Sequence, residues 1–145
     1  MNTGTFRLSI YKIALIWLIS VSYVACSQDI PPTTKAQYHL QRLINDTSKA
    51  CIRLVDFERL GGRTVTYGGS EGYLFSWGAQ IEFLEDCYWP MGLDPLKAEP
   101  VSGEVDSGSK RGQVRRKGVR ETIKGTFHFE RTENGWNVTG IDWQA

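Results

Sequence analysis

The side chains able to do chemistry are few and widely spaced. Three cysteines and two histidines occur in 145 residues: Cys26, Cys51, Cys87, His39 and His128. No Cys-x-x-Cys is present and no histidine neighbours a cysteine, so neither a metal site nor a redox dithiol motif can be assembled. Two distant histidines likewise give no nucleophile–base–acid constellation. Gly68-Gly69-Ser70-Glu71-Gly72 lacks the lysine and following helix of a phosphate loop, and no cofactor is implied. What remains is a disulfide between Cys51 and Cys87 and a basic cluster, Lys110, Arg111, Arg115, Arg116, Lys117 and Arg120, preceded by acidic Glu99, Glu104 and Asp106. The cluster reads first as part of a solvated connection whose halves partly neutralise each other, and in a sharper reading as a contact surface for anionic headgroups or an acidic partner. No aromatic residues interleave it, which argues against nucleic acid.

The disulfide requires an element that brings its ends together, and a long β-hairpin does so. Gly68 to Gly72 interrupt two apolar segments with residues that tolerate positive φ. A turn centred on Gly69 sets Cys51 opposite Cys87, Arg53 opposite Glu85, Val55 opposite Phe83 and Phe57 opposite Ile81, and also places Asp56 against Glu82. Gly61-Gly62 forms either a bulge within this hairpin, the preferred reading, or a first turn that splits it. In the second arm Tyr73, Phe75, Trp77, Ala79, Ile81 and Phe83 alternate with more polar neighbours, the period of a half-buried strand. Closing a loop of this length with a disulfide contributes about 4 kcal/mol in the chain-entropy model.

An oxidised pair needs an oxidising compartment, and the N-terminus supplies a route. Arg7 and Lys12 precede an uncharged, apolar run from Ile13 to Ala25 that reads as a secretory signal peptide over residues 1–26. Val24-Ala25-Cys26-Ser27 resembles a bacterial lipoprotein signal, which implies lipidation of Cys26 and anchoring to a membrane; Tyr23 departs from the usual aliphatic residue. The competing cleavage follows Ser27 and gives a secreted protein. Removing Arg7 and Lys12 leaves 15 basic residues against 16 acidic, a near-neutral chain with no demand for a polyanion. Residues 27–33 read as a tether and 34–145 as one domain.

Ala36, Leu40, Leu43, Ile44 and Thr47 recur at helical spacing after Thr33 or Thr34 as cap, which predicts an amphipathic helix over 34–48 with His39 on its flank. Residues from about 90 to 118 lose periodicity and read as a long loop. Alternation then returns: Val119, Ile123, Phe127 and Phe129 share one face, with His128 on the other. Asn134-Gly135 marks a hairpin turn, and Trp136, Val138, Ile141 and Trp143 form a last strand with a bulge near Gly140.

The resulting fold class is α+β: one N-terminal helix packed on a curved four-stranded antiparallel sheet, with a long loop between two hairpins. This order resembles the cystatin-like and NTF2-like architectures over most of the mature chain. The Gln-x-Val-x-Gly turn of cystatins is absent, and Gly61-Gly62-Arg63-Thr64-Val65 does not replace it. The NTF2-like resemblance implies a carboxylate and a tyrosine in the pocket between helix and sheet, for which Asp56 and Tyr73 are the weak catalytic candidates. The expected function is a non-catalytic envelope lipoprotein or secreted binding module, contacting an envelope protein or a small apolar ligand through its sheet or charged loop. The alternatives are a small NTF2-like enzyme or apolar-ligand carrier, and a secreted inhibitor acting through hairpin turns.

Overall fold

The strand with the strictest alternation, β2 (Ser70–Phe83), lies inside the main sheet, and the rest of the domain is laid against it. The structure is a computed structural model that describes residues 29–90, 94–101 and 112–144; the leader, Cys26, Lys110 and Arg111 lie outside the described residues. The main sheet is antiparallel in the order β1 (Ile52–Tyr67), β2, β6 (Arg120–Thr132), β7 (Gly135–Gln144). Helix α1 spans Thr33–Thr47 and buries Ala36, Leu40 and Ile44, the expected apolar stripe. Its N-cap is Pro32, without a side-chain cap, rather than either threonine. The Pro32 carbonyl accepts from the Lys35 and Ala36 amides, so Thr33 and Thr34 lie within the first turn.

The core occupies one face of the sheet. Tyr73, Phe75, Trp77, Ala79, Ile81 and Phe83 of β2 and Ile123, Phe127 and Phe129 of β6 are all buried, as their alternation requires. Trp77 collects the aromatic side chains of the other three strands: Phe57 at 5.8 Å, Phe127 at 5.1 Å and Trp143 at 5.7 Å between ring centroids. A glycine makes room for it. A Cβ at Gly125 would lie 2.7 Å from the Trp77 ring and 2.8 Å from the Asp142 carbonyl.

The expected hairpin forms, with a different register. Gly68 and Gly69, at φ 55° and 96°, are the two loop residues, so Tyr67 pairs with Ser70. Extra residues on β1 at Val55 and Leu60 then slip the ladder twice. Arg53 stands opposite Glu82 instead of Glu85, Phe57 opposite Ala79 instead of Ile81, Asp56 opposite Gln80 instead of Glu82, and Phe83 faces Ile52 instead of Val55. The physical reason is packing. Strict alternation from Ile52 would aim Asp56 and Glu58 at the core and Phe57 at water; the bulge at Val55 reverses the phase and lets Phe57 stack on Phe75 and Trp77. The Leu60 bulge adjoins Gly61-Gly62, and the hairpin is not split there.

Cys51 and Cys87 are joined in a disulfide, Cα atoms 6.0 Å apart, although they are not ladder partners. The Cys51 carbonyl accepts from the Leu84 amide, and the chain turns away before Cys87 opens β3. Here the expected loop is corrected. Two short strands within 90–118 join Cys87–Pro90 in a second, three-stranded sheet in the order β4 (Glu99–Pro100), β3 (Cys87–Pro90), β5 (Gly112–Arg115). Strands of two to four residues are too short to register a period. Leu96 and Ala98 are buried, and Trp89 packs edge-on against Phe83 and donates its indole N–H to the Pro95 carbonyl at 2.8 Å. The disulfide therefore ties the start of the main sheet to the second one.

The last hairpin forms on Glu133-Asn134 with Gly135 at φ 97°, and the bulge expected near Gly140 falls at Thr139. Replacing Gly125 with Ala forces a methyl into the Trp77 ring and a backbone carbonyl, and should lower stability by roughly 1–3 kcal/mol in urea unfolding. Gly61→Ala, where nothing lies within 4 Å, should change it by less than about 0.5 kcal/mol.

Candidate functional site

The two faces of the main sheet differ in kind. The inner face carries the buried core of β2 and β6; on the outer face Gly72 and Gly78 are the buried residues, and every side chain from Arg53 on β1 to Gln144 on β7 is at least partly exposed. Register decides membership. Asp56, Glu58, Arg63, Val65 and Tyr67 share this face with Leu74, Ser76, Gln80 and Glu82, then with Thr122, Lys124, Thr126, His128 and Glu130, and finally with Asn137, Asp142 and Gln144.

Two ordered rows cross it. At one end the Glu82 carboxylate accepts from Arg53 on β1 and Arg120 on β6, each at 3.2 Å. The hydrogen bonds from Arg53, reinforced by Arg120, hold Glu82 below the usual carboxylate range. At the other end Tyr67 reaches across β2. A Cβ at Gly72 would come within 2.6 Å of the Tyr67 ring, so glycine permits that ring to lie over the strand. Tyr67 Oη meets His128 Nδ1 at 3.3 Å, and His128 Nε2 meets Asp142 Oδ2 at 2.6 Å. In neutral His128 the carboxylate selects the Nε2–H tautomer, which leaves Nδ1 to accept from the phenol. The Tyr67 and His128 planes are 18° apart with centroids at 6.4 Å. The row involves all four strands: Tyr67, Gly72, His128 and Asp142.

The residues singled out by sequence are distributed otherwise. Arg115 donates to Glu121 and Gln113, each at 2.6 Å, and lies over the Trp89 ring; Arg116 pairs with Asp86 at 2.9 Å; Arg120 belongs to the Glu82 row. The Lys117 amide donates to Asp86 Oδ1 at 2.9 Å, a bond that leads in holding Asp86 below its ordinary range, with Arg116 contributing. The three described arginines of the cluster thus each have an acidic partner. Asp56 and Tyr73 are not brought together. Asp56 is exposed on the outer face and accepts from the Phe57 amide, whereas Tyr73 is buried on the inner face and accepts from Arg59 through its hydroxyl. A Glu85 carboxylate oxygen lies within 4.8 Å of both cysteine sulfurs, which the disulfide already occupies.

The alternation of β6 by itself aims His128 outward, but no local pattern reveals its partners. Tyr67 and Asp142 are 61 and 14 residues from it, and the register that joins them depends on the Gly68-Gly69 turn and the Thr139 bulge. His39 is half-buried, its ring edge-on to Phe127 at 5.4 Å. No protein-family model, no curated protein and no solved structure matches this chain.

Gly72→Ala should push the Tyr67 ring off β2 and abolish the proton contacts between Tyr67 and His128 in NMR spectra. Burial, then the charge of Arg42, pushes the His39 pKa below its ordinary value. The unfolded chain therefore takes up that proton at higher pH than the folded one, and stability falls as pH drops through about 6.5. Urea midpoints at pH 7.5 and 5.5 should show this acid loss in the native protein and a smaller loss in His39→Leu.

Proposed function

We propose that this protein is a non-catalytic binding module exported from the cytoplasm, anchored by lipid at Cys26 or released by cleavage after Ser27, that engages an envelope partner with the open face of its main sheet. The observation that carries this reading is the asymmetry of the sheet. One face is sealed by aromatic packing; the other is polar, exposed and crossed by two rows of mutually oriented side chains. Preorganised polar groups lose little entropy when a partner docks on them. The buried Cys51–Cys87 pair suits an oxidising compartment, and the element order suits the cystatin-like or NTF2-like resemblance. Among the described residues no helix is long and apolar enough to cross a membrane.

Photo-crosslinking residues placed at Thr122 and Thr126 on the open face should capture the same envelope partner in the native host, while Gln37 and Asn45 on the exposed helix side should not. Capture from the helix positions alone would overturn the choice of face. Intact mass of the purified mature chain should show a start at lipidated Cys26, or at Gln28 if the secreted form is correct, with two hydrogens gained on reduction.

A further inference from the structure

The main sheet ends in two edge strands of opposite character. β1 carries five charged side chains, Arg53, Asp56, Glu58, Arg59 and Arg63, and is bent by bulges at Val55 and Leu60, devices that guard an edge against pairing with another chain. β7 carries one, Asp142, whose carboxylate is turned to His128 within the sheet. Its outer edge bonds to no backbone among the described residues. On the core side Phe127 and Phe129 of β6 are fully buried, yet their ladder partners Ile141 and Val138 on β7, and Trp143 beyond them, are only half-buried. A strip of apolar side chains therefore lies open along the β7 edge. β7 also has a bulge, at Thr139, which changes its phase: Trp136 and Val138 lie on the core face before it, Ile141 and Trp143 after it.

Opposed residues of an antiparallel pair lie on the same face of a sheet. The change of phase at Thr139 makes β7 complementary to itself along its whole length. An antiparallel pair of β7 strands centred between Thr139 and Gly140 sets Val138 opposite Ile141, Trp136 opposite Trp143 and Asn137 opposite Asp142 of the second copy, and each pair is repeated across the two-fold axis. Core-face residues meet core-face residues throughout, and no like charges are opposed. Centring the pair on Gly140 instead would set Val138 against Asp142, residues of opposite faces. We infer that β7 is a self-association edge, at which a second copy of this chain adds its own β7 and continues the four-stranded sheet. The half-buried strip of Val138, Ile141 and Trp143 is then covered by its counterpart across the axis. Edge-to-edge pairing keeps each face on its own side, so both open faces point the same way. The pairing goes beyond the binding-module reading and does not depend on it.

Sedimentation equilibrium of the purified mature protein, in a density-matched detergent, should show a monomer–dimer equilibrium in the micromolar range, as expected of a small interface. Val138→Lys and Ile141→Glu should each weaken it about tenfold or more, because each places an unpaired charge in the apolar strip. The two substitutions combined oppose unlike charges twice across the axis, and the double variant should dimerise more tightly than either single one. Cross-linking reads the register: a mixture of Val138→Cys and Ile141→Cys chains should form a disulfide-linked dimer under oxidation, and neither variant alone should do so. A monomer at every concentration up to the millimolar range would overturn the pairing. So would a dimer that survives both single charge substitutions with native near-ultraviolet circular dichroism, or a mixture of the cysteine variants that fails to cross-link. Photo-crosslinks from Thr122 and Thr126 test the open face separately, and their persistence in a monomeric Val138→Lys variant would leave the binding-module reading standing whatever the fate of the dimer.

Discussion

The packing of Trp77 is the interaction on which the rest of the domain depends. Its ring touches an aromatic side chain from each of the other three strands of the main sheet and sits over Gly125, where a Cβ would intrude. Aromatic pairs at these separations add to the burial of their area, so the position of Trp77 disciplines its neighbours. Phe57 can join the cluster only if β1 gains a residue at Val55. Trp143 can join, in phase with Val138 and Trp136, only if β7 gains one at Thr139. Two irregularities in the backbone thus follow from one large side chain.

Those irregularities also compose the outer face. The bulge at Val55 turns Asp56 and Glu58 outward, and the one at Thr139 brings Asp142 within reach of His128. Core packing on one side of a sheet and chemistry on the other are coupled because a strand's side chains alternate with period two. Satisfying the core leaves no independent choice for the opposite face. Charges on that face are compensated at the Glu82 end by Arg53 and Arg120, and at the other end His128 takes Asp142 as its partner.

The second sheet and the disulfide act at the other end of the hairpin. Lys49 and Ala50 adopt left-handed φ of 48° and 63° between the helix and Cys51, a conformation that costs non-glycine residues roughly 1–2 kcal/mol each. The covalent bond to Cys87, the Leu84 amide on the Cys51 carbonyl and the burial of both cysteines hold this turn in place.

Much of the architecture was legible from local pattern. The helix with Ala36, Leu40 and Ile44 inward, the alternation of β2 and β6, the hairpin turns at Gly68-Gly69 and Glu133-Asn134-Gly135, and the pairing of Cys51 with Cys87 all express short-range periodicity, turn chemistry or parity, which the residues themselves carry. Tertiary structure decided the register. Whether β1 slips at Val55 depends on how Phe57 fits against Trp77, a contact between residues twenty apart, and no local preference encodes it. The outward turn of Asp56 follows from that fit, because a one-residue slip exchanges the two faces of a strand while leaving its composition unchanged; the Tyr67–Gly72–His128–Asp142 row needs the slip at Thr139 as well as the Gly68-Gly69 turn.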